Sequence, residues 1–109
     1  MAKKNRKASD QADIRRLMEQ WAEAIRAKDV DGIMSHYASD IVVFDLAPPL
    51  QYKGANAYRE NWQAWFRTFQ GPIGYEIRDR SIAASNDIAF CHGFNRITGT
   101  RTDGEKTDV

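Results

Sequence analysis

The first sustained periodicity runs through Ile14, Leu17, Met18, Trp21, Ala24 and Ile25. These recur at helical spacing, while Arg15, Arg16, Glu19, Glu23 and Arg26 fall on the other side. That amphipathic pattern predicts a helix over residues 10–27, capped by Ser9 or Asp10. Lys28 and Asp29 form a turn, and Asp29 or Asp31 caps a brief second helix bearing Val30, Ile33, Met34 and Tyr37. The β-branched and aromatic run at 41–45 reads as a strand, ended by Pro48 and Pro49, which cannot donate to a ladder. A short extended piece at 50–52 leads to Gly54. Tyr58, Trp62, Trp65, Phe66 and Phe69 then make an aromatic stripe. It predicts a third helix over 55–69, stopped by Gly71 and Pro72.

Beyond that point the period changes from helical to alternating. Two strands are expected, over 73–84 and 88–101, joined by a turn at Asn86 and Asp87. Asp103 and Gly104 signal a further hairpin. Early helices followed by meandering strands predict an α+β fold, in which a curved antiparallel sheet packs on about three helices of the N-terminal half. Only 105–109 follow the last turn, too little to return along a strand of a dozen residues. The natural chain is therefore expected to continue, with C-terminal strands missing here. A chain ending at Val109 would be expected to dimerise or exchange strands.

The chain has 109 residues, 42% hydrophobic and 28% charged, with a formal net charge of +1. This describes one folded domain, over 10–109, without the strongly basic face of a general nucleic-acid binder. No apolar run suits a membrane span. A lone Cys91 fits a reducing compartment, so the expected location is cytoplasmic. Lys3, Lys4, Arg6 and Lys7 precede no hydrophobic segment and read as a disordered basic tail over 1–9, or as a contact for an anionic partner.

Candidate chemistry is sparse. Asp45 ends an apolar strand and precedes Leu46 and two prolines. A carboxylate in such company gains proton affinity and can act as a base; the alternative is a strand-end Asp bonding local backbone N–H groups. On the last long strand, Ile88, Phe90, His92, Phe94 and Arg96 share one face, and Ala89, Cys91, Gly93, Asn95 and Ile97 the other. His92 among phenylalanines is a candidate acid or a buried, hydrogen-bonded histidine. Arg96 is a surface cation or a clamp for an anionic group. Trp21, Tyr58, Trp62 and Trp65 pack the core or shape a pocket, and the hydroxyls of Tyr37, Tyr58 and Tyr75 are candidate donors. His36 and His92 have no partner at metal-ligand spacing, and no phosphate-cradling loop is present. Any catalysis is expected to need neither metal nor cofactor.

The ordered set of Asp29, Val30, Asp31 and Gly32, then Tyr37, Ala38, Ser39 and Asp40, then a strand ending in Asp45, resembles the opening of ketosteroid-isomerase-like (SnoaL-like) proteins of the nuclear transport factor 2-like superfamily. Gly54, the aromatic helix after it, and Asp87 to Phe90 continue the likeness. The resemblance implies a cone-shaped α+β barrel with a small-molecule pocket at its mouth, and commonly a homodimer. Asp45 falls where the steroid isomerases of this family carry their base. Trp21 stands where they carry an oxyanion tyrosine, and the second donor would fall beyond Val109, so steroid isomerisation itself is not implied. What is implied is a cofactor-independent isomerase, cyclase or dehydratase acting on a small apolar or carbonyl-bearing molecule. Asp45 would be its base, His92 its acid or orienter, and Trp21, Tyr58, Trp62, Phe94 and Arg96 its ligand contacts. A non-catalytic ligand-binding or dimerisation module is the other implication.

Overall fold

In the computed structural model, which describes residues 2–85 and 87–109 and side chains from Asp10 onward, the first helix is longer than its amphipathic stretch. It runs as α1 from Ala2 to Arg26. The segment expected as a disordered tail instead continues the helix, in keeping with the high helix propensity of Ala, Lys and Arg. Met1 and Asn86, the latter half of the expected turn, lie outside the described residues, as do the side chains of the basic segment and of Ser9.

After Lys28, α2 spans Val30–Met34. Asp29 caps it by accepting a hydrogen bond from the Gly32 N–H at 3.0 Å. Gly32 is required by close approach: a Cβ there would stand 2.5 Å from Asp29 Oδ2 and 3.1 Å from the Ala24 side chain. The turn motif thus brings α2 tightly against α1, and Ile25 and Ile33 become the most deeply buried side chains.

β1 (Val42–Phe44) and β2 (Gln51–Lys53) pair antiparallel, with Val43 opposite Tyr52. α3 covers Ala55–Phe66 and buries Trp62 and Phe66. It stops three residues before the sequence pattern suggests, because Phe69 is drawn into the next strand. β3 runs Phe69–Ala84, β4 Ala89–Arg101 and β5 Lys106–Asp108. They form an antiparallel sheet in that order, separate from the β1–β2 ribbon. Phe69 pairs with Arg101, and the Thr102 N–H donates to the Thr68 carbonyl at 2.9 Å. Gly71 and Pro72 therefore mark an irregularity within β3 rather than its beginning.

A second irregularity, between Arg78 and Ser81, bends the β3–β4 ladder. Asp79 takes a positive φ of 52° there. Gly93 lies beneath this bulge, where a Cβ would meet the Arg78 carbonyl at 3.0 Å. Arg80 is thereby brought to α1. Its guanidinium donates to the Arg15 carbonyl and pairs with Glu19. Arg26 Nη1 adds a 2.8 Å bond to the Tyr75 carbonyl. The result is an α+β domain of three helices against a curved antiparallel sheet. No helix among the described residues is long and apolar enough to cross a membrane.

Candidate functional site

Helix and sheet do not close completely. Between them lies a hollow of about 570 Å³. Ile14, Leu17, Met18 and Trp21 of α1 form one wall. Ile77 of β3 with Cys91, Gly93 and Asn95 of β4 forms the other. His36 and Tyr37, just after α2, complete it. The small residues of β4 face the bulky residues of α1, and this mismatch in size leaves the space.

Two indole donors lie at or behind this hollow. The Trp21 indole N–H is buried and has no hydrogen-bond partner, and the same holds for Trp62. The two rings meet edge-on with centroids 6.1 Å apart. Tyr37 and Tyr58 stack edge-on at 5.3 Å, and Tyr58 lies 5.7 Å from Trp62. Trp21, Tyr37, Tyr58 and Trp62 thus form one contiguous cluster. Burial pushes the Tyr37 phenol up from its ordinary value. The nearby Trp21 N–H offsets this in part without reaching good hydrogen-bond geometry. Burial also pushes Tyr58 up strongly, and the charges of Tyr37 and Asp45 add to it. Tyr75, edge-on to Trp21 at 5.5 Å, is pushed up to about 12 by burial, with the Asn95 side chain opposing. These phenols are neutral over the ordinary pH range and can donate.

The residues expected from sequence are dispersed. Trp21 lines the hollow. Tyr58 and Trp62 sit behind it in the aromatic cluster. Asp45 is exposed in the β1–β2 connection, where its carboxylate accepts the Leu46 N–H at 2.7 Å. Phe94, expected in a pocket lining, is 70% exposed on the outer side of the sheet. Arg96 shares that outer face and forms a bidentate pair with Asp108, both bonds 2.9 Å. This pairing raises the guanidinium pKa further and lowers that of the carboxylate. His92 borders the hollow, yet the pleat sets its side chain on the face of Phe90 and Phe94. The structure therefore does not bring Asp45 and His92 together.

The face of β4 that meets the helices is the one carrying Cys91, Gly93, Asn95 and Ile97, opposite to expectation. Ile73 and Tyr75 are buried, and Tyr75 stands opposite Ile97. Residues paired across a ladder share a face, so this register turns the odd-numbered side of β4 inward. His36, Cys91 and Asn95 were missed as lining residues. The available signal was the run of small side chains at 89, 91 and 93, which suits a strand packed under bulky helical residues. No group of three or more His, Cys, Asp and Glu among the described residues is arranged to hold a metal ion.

Three helices, a bent antiparallel sheet and an apolar hollow between them define a pocket-bearing α+β domain. A SnoaL-like domain model matches residues 14–108, nearly the whole chain. A protein of unknown function from Pseudomonas putida, described as NTF2-like, is 30% identical. Its structure aligns over 94% of this chain and 83% of that one, with a TM-score of 0.78. The chain belongs to the SnoaL-like family, within the NTF2-like fold. A candidate scytalone dehydratase from Novosphingobium aromaticivorans shares the fold at 17% identity, over 99% of this chain and 70% of that one, with a TM-score of 0.80. A ketosteroid isomerase-like protein from Erwinia carotovora does so at 23%, over 87% and 72%, with a TM-score of 0.70. Comparison with curated proteins gives no match.

Proposed function

We propose that this domain binds a small molecule, with an apolar body and a carbonyl or hydroxyl oxygen, in the hollow between α1 and the β3–β4 sheet. One observation carries the reading: an apolar hollow bordered by a buried indole N–H without a partner, that of Trp21, beside the neutral phenol of Tyr37. Buried donors are nearly always bonded, so an acceptor supplied by a ligand suits this site. Its volume falls in the range of small-molecule pockets.

A second reading is cofactor-independent proton transfer by an isomerase, cyclase or dehydratase. It is favoured by the charge of Asp45 acting on Tyr58, which stacks on Tyr37 at the wall of the hollow. Neutral phenols aimed at a developing oxyanion would supply the electrostatic part of such a reaction. Asp45 as base would first have to release the Leu46 N–H. His92 would have to turn toward the hollow to act as acid.

Thermal shift against a panel of cyclic ketones and phenols tests the binding reading. A ligand should raise the melting temperature of the wild type. Leu17→Trp, which adds bulk to a half-exposed lining position, should fold normally and lose that shift. A panel without effect, or an undiminished shift in the variant, would argue against this hollow. Solvent deuterium entering the bound ketone, and ceasing in Asp45→Asn while the thermal shift persists, would favour the enzyme.

A further inference from the structure

Charge is unevenly divided along the chain. Residues 1–16 carry six basic and two acidic side chains, whereas 17–109 carry ten basic and thirteen acidic. An excess of four positive charges at one end is set against an excess of three negative charges over the rest.

The fold makes this end a rod. α1 is continuous from Ala2 to Arg26, so Lys3, Lys4, Arg6 and Lys7 occupy its first two turns. No acidic residue lies in the first turn. Cations at a helix N-terminus oppose the macrodipole, and an external anion there would relieve the opposition. About two turns further on, Gln11, Ala12, Arg15, Arg16 and Glu19 line an open groove of about 450 Å³. Its one acid, Glu19, is taken up by Arg80, whose side chain is 10% exposed. Asp13 pairs with Arg16 at 3.2 Å. Arg15 is exposed and forms no ion pair among the described residues. The acids at the groove are thus already paired, and the charge of Arg15 is left over.

These features discriminate among anionic partners. A helix that lies on a membrane needs a broad apolar face. Within 2–16 the one large apolar side chain is Ile14, and it lines the hollow. Binding of single-stranded nucleic acid uses aromatic platforms, and 1–16 hold no aromatic residue. The uniform phosphate row of a duplex would run past Asp10 and Asp13, which separate the two basic blocks. A polypeptide can place its acids in two clusters and leave neutral or basic residues between them. The centres of the blocks at 3–7 and 15–16 lie ~16 Å apart along the helix. That exceeds the ~8–10 Å over which charge acts in physiological salt, so each block attracts its own acids.

We infer that the N-terminal half of α1 is a docking surface for an acidic segment of a partner protein, one with two clusters of Asp or Glu ~16 Å apart. The inference is independent of what occupies the hollow.

Fluorescence anisotropy of labelled peptides titrated with the full chain tests it. One alanine-based helical peptide carries two glutamate blocks with centres about eleven residues apart, and a second carries the same glutamates evenly spread. The blocked peptide should bind about threefold more tightly than the even one at ~50 mM salt, and about tenfold more weakly by ~200 mM. The variants K3Q/K4Q/R6Q/K7Q and R15Q/R16Q should each lose about fivefold or more in affinity without lowering the melting temperature. Arg80 is held by the Arg15 carbonyl, which R15Q leaves in place. No saturable binding would overturn the inference, as would equal affinity for the two peptides or an affinity that either set of substitutions leaves untouched. Tighter binding of a duplex DNA oligomer, or of phosphatidylserine–phosphatidylcholine vesicles, than of the blocked peptide would overturn it equally.

Discussion

Tyr75 stands opposite Ile97 across the β3–β4 ladder, and this pairing decides which side of β4 meets the helices. Tyr75 is buried beneath Trp21. Ile97 must share its face, and the pleat then sends Asn95, Gly93 and Cys91 toward α1 and Phe94 away from it. A shift of one residue in this register would exchange the two faces of β4.

The two aromatic environments should respond differently to truncation. Trp62 is 8% exposed and touches the rings of Trp21, Tyr58, Trp65 and Phe66. Trp62→Ala should cost about 3–5 kcal/mol in urea denaturation. Phe94→Ala, measured at low protein concentration, should change stability by no more than about 0.5 kcal/mol. Equal losses would contradict the assignment of faces.

Gly32 and Asp29 should behave as a coupled pair. A methyl at Gly32 would displace the Asp29 carboxylate from the α2 N-terminus, losing the cap. Gly32→Ala and Asp29→Ala should each cost about 0.5–2 kcal/mol. The double variant should cost much less than their sum, because both remove the same bond. An additive double-mutant cycle would show that the cap is not what the glycine protects.

Alkali should destabilise the domain. Tyr75 is raised from 10.0 to about 12, and Tyr37 and Tyr58 shift in the same direction. Between the unfolded and folded values the native chain holds more protons than the unfolded one. The stability contributed by the neutral phenols is therefore complete below pH 10 and is lost as pH rises toward 12. Each unit of separation is worth about 1.4 kcal/mol per tyrosine. Urea midpoints should fall steeply above pH 10, and Tyr75→Phe should flatten part of that fall. A midpoint independent of pH over this window would refute the burial of these hydroxyls.

Arg80 and Arg96 both form ion pairs, but only one joins two elements of the core. The Arg80 side chain is 10% exposed and ties β3 to α1 through Glu19 and the Arg15 carbonyl. Arg80→Ala should cost about 1.5–3 kcal/mol. Arg96→Ala, which breaks a surface pair, should leave the urea midpoint unchanged. A larger effect at Arg96 would invert the order.

Element types were legible because they depend on local pattern. Ile14, Leu17, Met18 and Trp21 keep helical spacing, Asp29 to Gly32 spell a cap and a close turn, and Ile73, Tyr75 and Ile77 alternate. The positions of Asp45 and Phe94 were not legible. Asp45 was read from its apolar neighbours in sequence, but Leu46, which follows it, is 99% exposed, so those neighbours make no greasy environment in space. The resemblance implies a pocket position for Phe94, while the register set by Tyr75 places it on the outer face.

Residue order alone therefore determined three helices, a meandering antiparallel sheet and the SnoaL-like signature, since capping, period and turn chemistry act within a few neighbouring residues. Only the tertiary structure decided that the small side of β4 faces α1, that a hollow remains there, and that Trp21 and Tyr37 border it. Those outcomes depend on cross-strand register and on a bulge that bends β3 over Gly93 and carries Arg80 to α1. Both arise from contacts between residues far apart in the chain.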